Sequence, residues 1–380
     1  MKNRYSTFIM GTVVGISLVG CGDGESSTSA LKVALGESLY HDTSLSLNRT
    51  MSCATCHTLN EGLIDPRSTS KTLGASLGDD GTSIGDRNTP TAGYASFSPN
   101  FHFDVAEGLF IGGQFLDGRS SDLKEQAKGP FLNPIEMGMP SISSVLERVR
   151  ENSSYISQFQ SLYGSDIFND ETKAYDALAD AIAAFEKSGE FAAFDSKYDR
   201  FLTGSYTLSA EEARGLALFV DENPGGAMCS ACHPAVSADN KPLFTDFSYD
   251  NLGVPVNHAL RTANGQAGNA DLGLFANPAV NDTDLRGAFK VSSLRNIAVT
   301  GPYMHNGLFK DLKTVVHFYN TRDLGGAINP ETNATWETGE FHALRNVDEL
   351  GNLGLSDQDE DDIVAFLKIL TDQRYEHLIP

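Results

Sequence analysis

The sequence predicts a mostly α-helical chain of two domains with long loops, each domain built around one copy of the pentapeptide Cys-x-x-Cys-His. Three observations carry this. CATCH runs from Cys53 to His57 and CSACH from Cys229 to His233, so the motif occurs twice at well-separated places. Apolar residues recur at three- and four-residue spacing in several segments, the period of one helix face. About 350 residues remain once an N-terminal leader is set aside, enough for two domains of ordinary size.

Each motif supplies two thiols that can form thioethers with haem vinyl groups and an adjacent imidazole that can ligate the iron from the proximal side. Four of the five cysteines, Cys53, Cys56, Cys229 and Cys232, fall in the motifs, and Cys21 has a separate explanation, so no thiol is left for a disulfide. A zinc site would need four ligands where each motif offers three, and a thioredoxin-like redox pair does not require the following His. Two covalently bound haem c groups are therefore expected, with His57 and His233 on the irons. The fold expected is two cytochrome c-like haem domains.

At the start of the chain, Lys2 and Arg4 precede an apolar run from Phe8 to Val19 that is too short to span a bilayer comfortably. Leu18-Val19-Gly20-Cys21 follows it and fits the lipobox of a lipoprotein signal peptide. Residues 1–20 would then be the signal peptide, Cys21 would carry a diacylglycerol, and residues 21–30, rich in Gly, Ser and Thr, would be a flexible tether. An ordinary secretory signal with an incidental Cys is the alternative. Either reading exports the chain to the periplasm, the first with a lipid anchor in the outer membrane, and haem attachment to this motif also takes place outside the bacterial cytoplasm. Membrane contact is expected only through that anchor, because no other stretch is long and apolar enough to cross.

The first domain is expected over residues 31–203, with Ala174, Leu178, Ile182 and Phe185 at helical spacing near its end. The second, residues 204–380, opens on Ser209-Ala210-Glu211-Glu212, a capping box starting a helix through Phe219 that leads to the second motif. Leu312, Val315, Val316 and Tyr319 share one helical face, and Ile363, Phe366, Leu367 and Leu370 share another in a helix started by Ser356. Long Gly- and Asn-rich loops run over Leu73 to Gly113 and Asp250 to Gly287. Without Lys2 and Arg4, 26 basic residues stand against 50 acidic ones, a net charge of −24. Nucleic acid is excluded as a partner by that balance. A basic electron-donor protein would suit it, although solubility alone also accounts for it.

LYHDTSLSLNRTMSCATCH, DRNTPT, GGQFLDGRSSDLKEQAKGPFLNPIEMG and FKVSSLRNIAVTGPYMHNGLFKDLKTVVHFYN occur in that order. Together they resemble the bacterial di-haem cytochrome c peroxidase superfamily, especially its MauG and MbnH-like branch, from about Leu35 to the C-terminus. The resemblance implies an enzyme whose N-terminal haem, on His57, reacts with hydrogen peroxide, while the C-terminal haem, on His233, is six-coordinate and transfers electrons. Electrons would come from a small donor protein, or from a partner protein whose side chains are oxidised. Peroxide chemistry needs a group that carries a proton from the inner to the outer oxygen so that water leaves. The positions matching the family's distal pocket are Gln126, Pro130 and Glu136, and Glu136 is the acid/base candidate.

For the second haem, the resemblance places the distal ligand fourteen residues beyond His305, where this chain has Tyr319 and peroxidases of the family have Met. A tyrosinate oxygen stabilises ferric and higher states. Met304 or His305 is the alternative ligand, with Tyr319 then a packed core residue. The family's calcium ion, held between the domains by an Asn side chain and two carbonyls, would fall on Asn88, Thr300 and Pro302. Two departures stand out. No His occurs between His57 and His102 to block the first iron, and FLDGR replaces the usual FWDGR, so Leu116 stands where a Trp usually bridges the haems. Phe115 is a poor hole carrier, and the single Trp, Trp336, lies far along the chain in an unmatched loop. The competing class is a non-catalytic di-haem electron carrier, which would need both irons capped.

Overall fold

The computed structural model describes residues 23–68 and 73–380. The expected signal peptide and Cys21, the expected site of the lipid, lie outside the described residues. Helix α1 (Asp23–His41) leads to α2 (Cys53–Cys56), a single turn bearing the first motif. An antiparallel hairpin of β1 (His102–Asp104) and β2 (Leu109–Ile111) pairs Phe103 with Phe110 inside the first expected loop. Four helices follow: α3 (Leu123–Leu132), α4 (Ile142–Arg150), α5 (Ser153–Tyr163) and α6 (Glu171–Glu186). Next come α7 (Lys197–Leu202), α8 (Ala210–Val220), β3 (Tyr249–Asp250), α9 (His258–Ala263) and β4 (Phe289–Lys290), with β3 and β4 paired. Finally α10 (Leu312–Thr321), the small hairpin β5 (Ile328–Asn329) and β6 (Ala334–Thr335), and α11 (Asp357–Lys368) complete the chain.

Local chemistry sets these boundaries. Asp122 accepts a hydrogen bond from the Glu125 amide to open α3, and Asp170 accepts one from Lys173 to open α6. Reciprocal capping boxes start α8 at Ser209 with Glu212 and α11 at Ser356 with Asp359. One expectation changes. Helix α1 begins at Asp23, so most of the 21–30 stretch is helical rather than a flexible tether. Leu35, Leu39 and Tyr40 bury the far end of α1 against α6, and that packing supplies the cooperative nucleus. Extending backward through Ser and Thr then costs less than about 0.7 kcal/mol per residue.

The buried side chains form two large clusters. One, with Leu35, Phe131, Phe159, Leu178 and Ile182, lies under α1 and α3 to α6. The other, with Phe219, Phe244, Phe309, Ile363 and Phe366, lies under α8, α10 and α11. Each cluster is organised around the same helix crossing. A Cβ on Gly36 of α1 would lie 1.9 Å from the Ala181 carbonyl oxygen of α6, and a Cβ on Gly215 of α8 would lie 1.9 Å from that of Asp362 in α11. Only a hydrogen side chain admits such an approach. Beside the glycines stand Phe185 and Phe366, each four residues beyond the carbonyl in question.

Polar contacts join the two clusters. Arg87 donates to Asp271 at 2.6 and 2.7 Å and to Asp117 at 2.8 Å. Tyr94 Oη donates to Asp372 at 2.6 Å, and Tyr375 Oη to the Leu59 carbonyl at 2.7 Å. Gly74 and Gly307 meet backbone to backbone, where a Cβ on either would lie within 2.7 Å of the other's carbonyl oxygen.

Candidate active site

The turn of α2 puts Cys53, Cys56 and His57 together, with the His57 amide donating to the Cys53 carbonyl at 2.9 Å. The second motif repeats this, the His233 amide donating to the Cys229 carbonyl at 2.9 Å. All four thiols are free of disulfides, and burial pushes those of Cys56, Cys229 and Cys232 up to about 12. Thiols so strongly held in the protonated form do not fit a redox pair.

Both histidines are oriented alike. His57 Nδ1 lies 3.3 Å from the Leu63 carbonyl oxygen and His233 Nδ1 lies 2.6 Å from that of Phe244. A carbonyl can only accept, so Nδ1 carries the proton and Nε2 is left with its lone pair, the arrangement of an iron-ligating imidazole. Burial lowers the pKa of both rings, which keeps them neutral. Leu63 (φ 61°) and Phe244 (φ 53°) hold left-handed backbone conformations that are costly for non-Gly residues. Sequence reasoning missed these two carbonyl acceptors that orient the imidazoles, because no propensity marks them.

A cavity of about 330 Å³ adjoins the second motif. Cys229, Cys232, His233, Phe219, Leu367 and Tyr319 are on its wall, as are Met304 and His305. Tyr319 projects from α10, and its hydroxyl has no hydrogen-bond partner among the described residues. Burial raises its pKa, followed by the Cys229 and Cys232 thiols and Asp250, so the phenol lies close to the attachment thiols. His305 stacks on Phe289 with ring centroids 3.7 Å apart, and burial lowers its pKa to about 3. The thiols, the free Nε2 and the unpartnered phenol fit a haem held by Cys229 and Cys232. Asp250 and Glu349 approach Cys232 as well, each accepting from Asn346 Nδ2, at 2.7 and 2.6 Å. That acidic pair is another feature the sequence did not announce.

Around the first motif, Gln126 and Pro130 occupy the same face of α3 one turn apart, and Pro130 cannot donate to the Gln126 carbonyl. Glu136 follows in the turn after α3. Its amide donates to the Asn133 carbonyl at 3.0 Å, and its Oε1 accepts from Asn133 Nδ2 at 2.8 Å. Burial raises its pKa, against the opposing effects of Asn133 and Arg119, and its charge is felt at both Cys53 and Cys56. The carboxyl is thus near the first motif and disposed to carry a proton.

Asn88, Thr300 and Pro302 all border the cavity, and Asn88 Nδ2 donates to the Pro302 carbonyl at 2.6 Å. The Asn88 amide also donates to the His305 carbonyl at 2.8 Å. A side-chain amide and backbone carbonyls supply neutral oxygens of the kind calcium accepts. Leu116 borders the same cavity, its carbonyl accepting from the Lys290 amide at 2.9 Å, and Phe115 is covered by the Arg119 guanidinium at 3.6 Å from its ring centre. Trp336 is not remote in space. Its ring packs 5.2 Å from Phe318 and 5.7 Å from Phe309, and its Nε1 donates to Thr321 Oγ1 at 3.0 Å, on the helix that carries Tyr319.

The profile of the di-haem cytochrome c peroxidase family matches residues 30–207. The methylamine utilization protein MauG of Paracoccus denitrificans is 47% identical over 355 residues, covering 91% of this chain and 90% of that protein. The cytochrome c peroxidase Ccp of Escherichia coli is 34% identical over 281 residues, 74% of this chain and 51% of that longer protein. Among solved structures, the diheme peroxidase BthA of Burkholderia thailandensis superposes with a TM-score of 0.83 at 32% identity, covering 92% of this chain and 88% of that one. A MauG-like protein associated with microbial copper homeostasis follows at a TM-score of 0.66 and 27% identity, covering 92% and 91%. The chain therefore belongs to the di-haem cytochrome c peroxidase family that includes MauG, and is an oxidoreductase of a family that binds two c-type haems.

Proposed function

We propose that this chain is a MauG-like peroxidase in which a haem on Cys53, Cys56 and His57 reacts with hydrogen peroxide and a haem on Cys229, Cys232, His233 and Tyr319 passes the electrons. When bound, the first haem supplies the two-electron reduction of peroxide, and the second stores and relays oxidising equivalents. The chain's own residues do the rest. Leu63 and Phe244 orient the proximal imidazoles through Nδ1. Glu136 holds and moves the proton between the peroxide oxygens, with Gln126 and Pro130 completing the distal wall. Asn88, Thr300 and Pro302 hold calcium at the junction of the units.

The observation that carries this reading is the unpartnered Tyr319 hydroxyl on the wall of the cavity that also holds His233. The stacking of His305 on Phe289 leaves that ring less free to reach an iron. An anionic oxygen ligand disfavours the ferrous state and suits an enzyme that oxidises a partner protein's side chains rather than one that only consumes electrons from a small donor. We place the protein in the periplasm, anchored by a lipid on Cys21 to the outer membrane. Among the described residues no helix is long and apolar enough to cross a membrane.

The test is spectroscopic. The protein should carry two haems by intact mass, and its second haem should lack the sulfur-to-iron charge-transfer band. Tyr319→Phe should change that haem's spin state while keeping both haems bound. An unchanged ferric spectrum in Tyr319→Phe moves the ligand to Met304 or His305 and removes the main support for the MauG-like reading.

A further inference from the structure

The two helix crossings make equivalent positions comparable, and the comparison exposes a difference. In the second unit Phe219 stands four residues past Gly215, and Leu367 five past Asp362, both lining the cavity with Cys229 and His233. At the same offsets from Gly36 and Ala181, the first unit has Tyr40 and Glu186. Both are buried, Glu186 to 8% exposure. Tyr40 Oη donates to the His57 carbonyl at 3.1 Å. Glu186 Oε2 is buried without a hydrogen-bond partner among the described residues.

An unsatisfied buried carboxyl is costly, and Leu367 at the equivalent place shows that this crossing does not need one. Its influence reaches the first motif: after burial itself, Glu186 is the largest effect raising the Cys53 thiol. The equivalence with Leu367 therefore puts the carboxyl against the N-terminal haem that the proposed function places on Cys53 and Cys56.

We propose that Glu186 is the proton partner of the N-terminal haem, taking up one proton as that iron takes up one electron and releasing it when the electron leaves. The electron comes from a one-electron donor and takes the iron from ferric to ferrous. The proton comes from solvent and converts the Glu186 carboxylate to the acid, so the local charge is unchanged by the pair of events. A carboxylate favours the more positive ferric iron, so the potential falls as pH rises through the group's titration. Burial pushes the Glu186 pKa up to about 8, which puts that change near neutral to alkaline pH. The groups facing it are Tyr40 from α1, Cys53 from α2 and Lys187 at the end of its own helix, the last opposing the rise. Tyr375 acts on Tyr40, and Glu136 acts on the same motif from the turn after α3.

The experiment is a spectroelectrochemical titration of the two-haem protein across this pH range. The first haem's reduced-to-oxidised ratio at fixed potential should fall up to tenfold per pH unit, about 59 mV for one electron. The second haem has Leu367 at the equivalent position, so whatever slope it shows should be unchanged by Glu186→Gln. Glu186→Gln, neutral at every pH, should flatten the first haem's line. A flat line in the wild type overturns the proposal, as does a slope that survives Glu186→Gln. A slope lost in Glu136→Gln but kept in Glu186→Gln assigns the proton to Glu136 and overturns it too. Should Glu186→Gln fail to fold, Glu186→Leu, which restores the residue at the equivalent position of the second unit, makes the same test. Intact mass separates the two levels of failure, because a missing first haem defeats the haem assignment, whereas two haems with flat lines defeat only the role of Glu186.

Discussion

Gly215→Ala should loosen the second unit at its helix crossing. The added Cβ would lie 1.9 Å from the Asp362 carbonyl oxygen, 2.6 Å from its carbonyl carbon and 2.9 Å from Phe366 Cβ. The first two are backbone atoms of α11 and cannot swing aside, so the helices must separate by more than an ångström to restore ordinary contact. Alanine gains about 1 kcal/mol over glycine in helix propensity. Overpacking a tight contact costs about 1–3 kcal/mol, sometimes more, and separation also unseats Phe366 in the core and Phe219 and Leu367 on the cavity wall. The net loss expected is about 2 kcal/mol, or roughly 4–8 °C in Tm for a unit of this size. The assay is thermal unfolding followed at the haem absorption, with Gly189→Ala as control, because a Cβ there meets nothing within 4 Å. A Gly215→Ala protein with wild-type Tm and an unaltered second-haem spectrum would show that the crossing tolerates the methyl and that the close approach is not a constraint.

Three further outcomes are expected. Glu136→Gln should keep both haems yet slow peroxide consumption about 100- to 10,000-fold, and a wild-type stopped-flow rate would exclude it as the proton carrier. Asp199→Asn should strip the buried Arg295 of a partner it holds at 2.6 and 2.9 Å, costing about 3–5 kcal/mol, whereas replacing both residues by apolar ones should recover much of that loss. Burial alone would raise the Asp199 pKa, but Arg295 and Ser196 outweigh it and the net shift is downward. Its contribution is therefore complete above about pH 4 and is lost as pH falls through the folded value, so acid should narrow the gap between wild type and Asp199→Asn in chemical denaturation. Leu116→Trp should speed redox equilibration between the haems after peroxide addition, and identical kinetics would show that the wiring does not use that position.

Much of the architecture was legible because it rests on local signals. The capping boxes at Ser209 and Ser356 mark the starts of α8 and α11, and the spacing of Ala174, Leu178, Ile182 and Phe185 falls on α6. The family was legible from ordered motifs. What escaped notice depends on tertiary neighbours. The helical state of residues 23–30 comes from packing farther along α1, which composition does not register. Trp336 reaches α10 through a loop whose path no periodicity describes. The carbonyls that orient His57 and His233 sit on Leu63 and Phe244, two residues whose left-handed backbone runs against their own preference. Glu186 follows the apolar positions of α6 without any local signal of burial, and only the crossing places it inside.

The contact of Gly74 with Gly307 has a consequence for regulation. There the units touch through bare main chain, with Asn257 Nδ2 tying the Leu73 and Asn306 carbonyls together at 2.8 and 3.0 Å. Two glycines in backbone contact offer no compressible layer and no alternative rotamers through which to slide. Rocking one unit against the other would have to break these amide contacts, along with those of Arg87 and Tyr94, all at once. For the haem proposed on Cys53 and Cys56, access would then fall to side chains within its own unit. On the reading proposed above, the spacing between the two haems would then be a constant of the fold, and the timing of electron exchange would be set by chemistry at each end rather than by the swing of a hinge.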